Sequence, residues 1–147
     1  MNSISSLTEA DITTAYNIEQ LSHTFPWTKD TLSSNQGERY LNLKSSTNWQ
    51  MVGFAITQMV LDEATLFNIA IHPQWQRCGF GRRLLCGLIN KLTHRGVVTL
   101  WLEVRANNVA AIGLYEDLGF HQVTLRRNYY YGANGREDAI IMSLILP

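Results

Sequence analysis

Apolar and polar residues along this chain alternate with two different periods, and the changes of period predict its elements. Ile4 to Leu7 is a short strand. Thr8 then caps a helix to about Leu21, with Ala10, Ile12, Ala15, Ile18 and Leu21 at helical spacing. Phe25-Pro26-Trp27-Thr28 interrupts that run, and Thr28 can cap a second short helix through Leu32. Tyr40 to Leu43 reads as a strand. Met51 to Val60 alternates through Val52, Phe54 and Ile56, and pairs with Ala64 to Ile71 through a turn at Asp62-Glu63.

A loop with two glycines comes next. A helix follows with Leu84, Leu85, Leu88, Ile89 and Leu92 on one face, ending at Gly96. Val98 to Val104 alternates cleanly, with Val98, Leu100, Leu102 and Val104 on one face and Thr99, Trp101 and Glu103 on the other. Asn107 or Asn108 caps a helix to Leu118, stopped by Gly119. Two last strands, about Phe120 to Tyr130 and Glu137 to Leu146, are joined through Asn134-Gly135, a hairpin signal. The order β-α-α-β-β-β-α-β-α-β-β predicts an α/β (α+β) fold, a mixed sheet with helices on both faces.

The loop Gln76-Arg77-Cys78-Gly79-Phe80-Gly81 carries the most chemistry. It leaves the strand Leu66 to Ile71 at His72-Pro73 and enters the helix that begins near Arg82. Glycines there let backbone approach a ligand, and the helix start offers free N–H groups and a positive dipole end. With Arg77, Arg82 and Arg83 around those donors, the ligand is expected to bear phosphate. A nucleoside triphosphate loop would need Gly-Lys-Ser/Thr, but Gly81 precedes Arg82-Arg83. A dinucleotide fingerprint would need a third glycine where Leu84 stands, although Glu103 lies at about the right distance for a ribose-binding acid.

Composition narrows the field. At 147 residues, one domain spanning residues 1–147 is expected, with no linker or repeat. The formal net charge is zero, which argues against direct nucleic-acid binding. No apolar stretch approaches the roughly 20 residues that cross a bilayer. Met1-Asn2-Ser3-Ile4 lacks signal-peptide character, so a cytoplasmic chain without membrane contact is expected. Cys78 and Cys86 would stand about 12 Å apart along one helix, too far for a disulfide. No Cys/His spacing suggests a metal site, and His23, His72, His94 and His121 are scattered without a signature.

The pattern Gln/Arg-x-x-Gly-x-Gly/Ala over Gln76 to Gly81, followed downstream by Asn108-x-x-Ala111-x-x-x-Tyr115, resembles the GNAT acetyltransferases. The order of elements resembles that fold as well, a mixed sheet of about seven strands with about four helices. The resemblance implies acetyl-CoA as co-substrate. Its pantetheine arm would run between two splayed strands, along backbone groups of Ile69, Ala70 and Ile71. Its pyrophosphate would sit on the N–H groups of Arg77, Cys78, Gly79, Phe80, Gly81 and Arg82, with Asn108 near the next helix start.

The resemblance also implies roles for two side chains. Glu103 would be the proton acceptor, since a carboxylate beside an aromatic in a partly dry cleft suits a general base. Read from the residues alone, it is equally a solvated glutamate or a partner for Arg105. Tyr115 would be the proton donor to the cofactor sulfur, although its place on the stripe of Ala111 and Leu118 equally fits a core tyrosine. Gly113, inside that helix, should cost about 1 kcal/mol against alanine.

Segments across the chain further resemble the bacterial branch of this family that acetylates the N-terminal alanine of a ribosomal protein. They are Phe25-Pro26-Trp27, Asn35 to Leu41, Asp62 to Asn68, Leu100 to Arg105, Arg126 to Tyr130 and Gly135 to Ile140. Tyr131-Gly132-Ala133 departs from that pattern. The resemblance implies a partner, the N-terminal segment of the eighteenth small-subunit protein, attacked directly without an acyl-enzyme. The aromatic run Tyr129-Tyr130-Tyr131 and the acids Glu137-Asp138 are candidates to receive it. The alternatives are an acetyltransferase acting on a small amine or lysine side chain, and a non-catalytic acyl-CoA-binding module.

Overall fold

In the computed structural model, which describes residues 2–132 and 135–147, the run Val52 to Ile56 is buried throughout. A continuous apolar run belongs in the middle of a sheet covered on both faces. The strand that contains it, β3 (Gln50–Val60), lies third of seven. The chain lays down β1 (Asn2–Ser6), α1 (Ile12–Ser22), α2 (Lys29–Ser34), β2 (Leu43–Thr47), β3 and β4 (Glu63–Ile71). Then come α3 (Phe80–His94), β5 (Thr99–Arg105), α4 (Val109–Asp117), β6 (His121–Gly132) and β7 (Gly135–Ile145). The sheet order is β1-β2-β3-β4-β5-β7-β6, with β4–β5 as its one parallel pair among the described residues. The mixed sheet with four helices is as expected.

Each face has its own core. Ile12, Ala15 and Ile18 of α1 and Leu32 of α2 pack with Phe54, Ile56 and Ala70. On the other face Leu84, Leu85, Leu88 and Leu92 of α3 and Tyr115 of α4 pack with Leu66, Leu100 and Leu102. Each of these leucines contributes on the order of 1.5–3 kcal/mol by burial. The edge strand β6 is exposed from His121 to Tyr129 and carries two register shifts, between Gln122 and Thr124 and between Arg126 and Tyr130. Charge and bulges keep such an edge from pairing with another sheet.

Several sequence expectations need correction. The strand expected at Tyr40 to Leu43 runs from Leu43 to Thr47, and Tyr40 makes only an isolated bridge to Gln58. Ser45, Ser46 and Thr47 read as loop, yet Ser45 and Thr47 point into the fold and are buried. Thr8 caps a 3-10 turn, Glu9–Asp11, with its N–H donating to the Asp11 carboxylate, before α1 proper begins. Leu21 is 60% exposed and lies off the buried face of α1. The β3–β4 turn is centred one residue earlier, with Leu61 at φ 56° and Glu63 already in β4. Val98 is exposed, and Val97 takes the buried place. Asn134 and Ala133 lie outside the described residues.

Candidate active site

Strands β4 and β5 pair from Glu63–Thr99 to Leu66–Leu102 and then part. The register of β4 against β3 shifts at this point, leaving Phe67 as an extra residue between Leu66 and Asn68. A bulge bends its strand, and here the bend carries β4 away from β5. A cleft of about 610 Å³ fills the opening, lined on one side by Leu66 to Ile69 and on the other by Leu102 to Arg105. His72 N–H donates to Val52 O across the β3–β4 ladder. By antiparallel alternation the peptide groups of Ala70 also turn to β3, while those of Ile69 and Ile71 face the opening. Ile71 O accepts from Ser22 Oγ at 3.0 Å and from Gln76 Nε2 at 2.9 Å. The first residue of the glycine-loop pattern therefore ties that loop to the end of β4.

Residues 76–79 form a turn, and among the described residues no backbone N–H from Arg77 to Arg82 reaches a carbonyl in full hydrogen-bond geometry; the first amide of α3 to do so is that of Arg83, to Gly79 O. Loosely engaged donors on a loop and a helix start suit an anion. Gly79 sits at φ +86°, which makes glycine the comfortable residue there. Gly81 differs. A Cβ at that position would meet Ile71 Cγ1 and Leu114 Cδ2 at 3.8 Å, ordinary contact, so the Gly/Ala choice of the pattern follows from available space. Arg82 bridges to Asp117 at 3.0 Å, and Arg83 lies over the Phe80 ring at 5.1 Å. Asn108 is the N-cap of α4, accepting from Ala111 N–H at 3.2 Å, whereas Asn107 donates to Glu137.

Glu103 alternates with Leu102 and Val104, which belong to the core under α3 and α4, so its side chain lies on the α1 face. Tyr115 reaches the cleft from α4 on the opposite face. Glu103 is partly exposed and stands 3.7 Å from Arg126 Nη1, not paired with Arg105. Trp101, its neighbour on the strand face, donates its indole N–H to Glu63 at 2.9 Å. Burial, with a smaller contribution from Tyr130, pushes the Tyr115 hydroxyl up to about 12. Tyr130 is also pushed up to about 12, by burial and then by the charge of Glu103. Base candidate, hydroxyl candidate and Tyr130 therefore converge on one cleft, and the cysteines stay out of it.

The outer mouth is bridged by Arg105. Its guanidinium lies 4.4 Å from the Tyr130 ring and 5.0 Å from the Phe25 ring, and pairs with Glu137 at 3.1 Å. Asp138 accepts from Asn128 N–H at 2.9 Å. Both acids expected to meet a peptide thus have partners within the fold. Sequence reasoning missed Glu19, which lines the cleft from α1 and is fully buried. It accepts from His23 and from Asn68 at 3.0 Å, and from Trp27 N–H at 2.9 Å. Burial alone would raise its carboxyl, but the donors of His23, Trp27 and Asn68 outweigh that and hold it below the ordinary range. A usable signal was present: Glu19 stands four residues after Ala15 and seven after Ile12, on the buried stripe itself.

The profile described as the Acetyltransferase (GNAT) family matches residues 2–120. The chain belongs to the GNAT family. Within it, the chain is 63% identical over 144 residues to the ribosomal protein bS18-alanine N-acetyltransferase of Escherichia coli (strain K12), covering 98% of this chain and 97% of that one. The protein of the same name from Haemophilus influenzae is 54% identical over 147 residues, 99% of this chain and all of that one. The crystal structure of the ribosomal-protein-S18-alanine N-acetyltransferase from Escherichia coli matches with a TM-score of 0.98 at 62% identity, covering 99% of this chain and 94% of that one. As a GNAT acetyltransferase, the chain uses acetyl-CoA as co-substrate. Among the described residues no cluster of metal-ligating side chains occurs, and no helix is long and apolar enough to cross a membrane.

Proposed function

We propose that this chain acts in the cytoplasm, as a single domain over residues 1–147, to transfer the acetyl group of acetyl-CoA to the N-terminal alanine of ribosomal protein bS18. One observation carries the reading: β4 and β5 part beside a loop of loosely engaged N–H groups, and Glu103 and Tyr115 line the resulting cleft. The likeness to bS18-alanine N-acetyltransferases over nearly the whole chain supports the substrate and disfavours a lysine or small-molecule acceptor.

Bound acetyl-CoA supplies a thioester, an acyl group activated for attack by an amine. In this reading Arg77, Cys78, Gly79, Phe80, Gly81 and Arg82 hold its pyrophosphate through their N–H groups. Ile69 and Ile71 supply the backbone groups along the pantetheine arm, with Ala70 between them, and Asn108 approaches from the start of α4. Glu19, Glu103 and Glu137 line the cleft, each with a partner, His23, Arg126 and Arg105 respectively, and of the three Glu103 is the one on β5 with water access. Glu103 takes the proton from the amine, through a water molecule, and the neutral amine attacks directly. Tyr115 donates its proton to the departing sulfur, and the proton that the nitrogen sheds as the amide forms restores the hydroxyl. Passing a proton from a group near 12 to a thiol ordinarily near 8.5 runs uphill, so donation is coupled to bond cleavage and serves the developing charge. No acyl-enzyme is needed, and Cys78 and Cys86 play no part as nucleophiles.

Mass spectrometry of ribosomal proteins from cells with and without this gene tests the reading. The expected result is one acetyl group on the N-terminal alanine of bS18, lost in the deletion. An unchanged bS18 N-terminus in the deletion would overturn it.

A further inference from the structure

Among the described residues, β4 has no strand partner on its β5 side beyond Leu66, and α1 holds it from one face instead. Two contacts do this. Ser22 Oγ donates to Ile71 O at 3.0 Å, and Asn68 Nδ2 donates to Glu19 Oε1 at 3.0 Å. The other Glu19 oxygen accepts from Trp27 N–H at 2.9 Å, and His23 Nδ1 stands 3.0 Å away. One carboxylate therefore joins α1, the α1–α2 connection and the free half of β4, all three of which line the cleft. A wholly buried carboxylate is costly, and an apolar side chain would fill the stripe of Ile12, Ala15 and Ile18 more cheaply. Its retention points to geometry.

We propose that Glu19 is a positioning residue for the amine substrate: by fixing Asn68 and Trp27 it sets the width of the cleft where the peptide enters. It touches no reacting atom. The kinetic side of this proposal rests on the acetyl-transfer reading above.

Glu19→Gln removes the charge and leaves one acceptor oxygen for three donors, so with that oxygen on the fixed Trp27 N–H the amide NH₂ meets Asn68 Nδ2 and the charged hydrogen bond there is lost. Asn68→Asp in the same chain supplies the missing acceptor and restores the pair with donor and acceptor exchanged. The single variant should raise the KM of a peptide beginning Ala-Arg about tenfold, the scale of one lost hydrogen bond to a charge, and leave acetyl-CoA affinity by calorimetry within about twofold. Amide exchange of residues 67–71 should quicken relative to α3, and the double variant should recover most of both effects. Wild-type KM and exchange in a folded Glu19→Gln enzyme overturn the proposal. So does loosening spread equally over α3 and the acetyl-CoA site, or a double variant no better than the single. If Glu19→Gln does not fold, Asn68→Ala deletes one donor only and should move KM and exchange in the same direction; wild-type values there also overturn it. Should the wild-type enzyme acetylate no such peptide, the acetyl-transfer reading fails, while exchange and calorimetry still decide the role of Glu19.

Discussion

Glu103 and Tyr115 reach the same cleft from opposite faces of the sheet. They can do so only because the sheet is open between β4 and β5 beyond Leu66 and Leu102. Their surroundings differ accordingly. Glu103 keeps water access and a guanidinium at 3.7 Å, while Tyr115 is packed beside Phe120 and held protonated. A carboxylate open to water and a buried, protonated hydroxyl on the two sides of one cleft can serve as base and acid.

Glu103→Gln should therefore keep acetyl-CoA affinity and lower turnover by about 10²–10⁴-fold. The deficit should shrink as pH rises, because the substrate amine then deprotonates unaided. Steady-state rates across pH check both statements, and a near-native rate at neutral pH would reduce Glu103 to a structural carboxylate.

Tyr115→Phe removes only the hydroxyl, so packing should survive and turnover should fall by about 10²–10⁴-fold. There is also a consequence for stability. The folded state holds the Tyr115 proton up to about 12, against 10.0 ordinarily. Its contribution is fully present below pH 10 and lost as pH rises through 12. Thermal unfolding of the wild type should thus drop across that window, and the drop should be smaller in Tyr115→Phe. Equal slopes would remove the assignment.

How much of this was legible in the sequence depended on distance along the chain. The strand–loop–helix passage through two glycines, the Leu84 to Leu92 face and the Leu100–Leu102–Val104 alternation of β5 are local patterns that formed as read, whereas Val98 yielded its buried place to Val97. The N-cap of α4 was ambiguous between Asn107 and Asn108 until the Ala111 N–H chose Asn108 and Glu137 engaged Asn107. β2 was misplaced because buried serine and threonine look like loop. The parting of β4 from β5 came only from family resemblance, since no period encodes where a parallel ladder stops. Glu19 finds Asn68 at a separation of 49 residues, beyond any local pattern.

The two loop glycines should behave differently. Gly79→Ala puts a Cβ at φ +86° and should cost about 1–2 kcal/mol, with weaker acetyl-CoA binding as the loop shifts. Gly81→Ala has room and lies in the first turn of α3, so it should be neutral or slightly stabilising. Calorimetry and chemical denaturation of both variants check this, and equal losses would remove the distinction.

Gly113 lies exposed within α4, and a Cβ there would meet open space. Gly113→Ala should stabilise the protein by about 0.5–1 kcal/mol, raising Tm by about 2–4 °C. A lower Tm would mean that the α4 backbone needs the glycine.

Amine choice follows from supply of the nucleophile. An α-amine with pKa near 8 is about 10% neutral at pH 7, whereas a lysine near 10.4 is about 0.04% neutral, roughly a 250-fold difference. A carboxylate base with water access, as Glu103 is, cannot make up that difference for an unperturbed lysine. The mouth closed by Arg105 between Phe25 and Tyr130 also favours a chain end that threads inward. A peptide beginning Ala-Arg should accordingly be acetylated at its α-amine, and blocking that amine should abolish the reaction even with lysines present. Fragment spectra decide the position, and acetyl groups found mainly on lysine would reverse the assignment of both the substrate end and the role of Glu103.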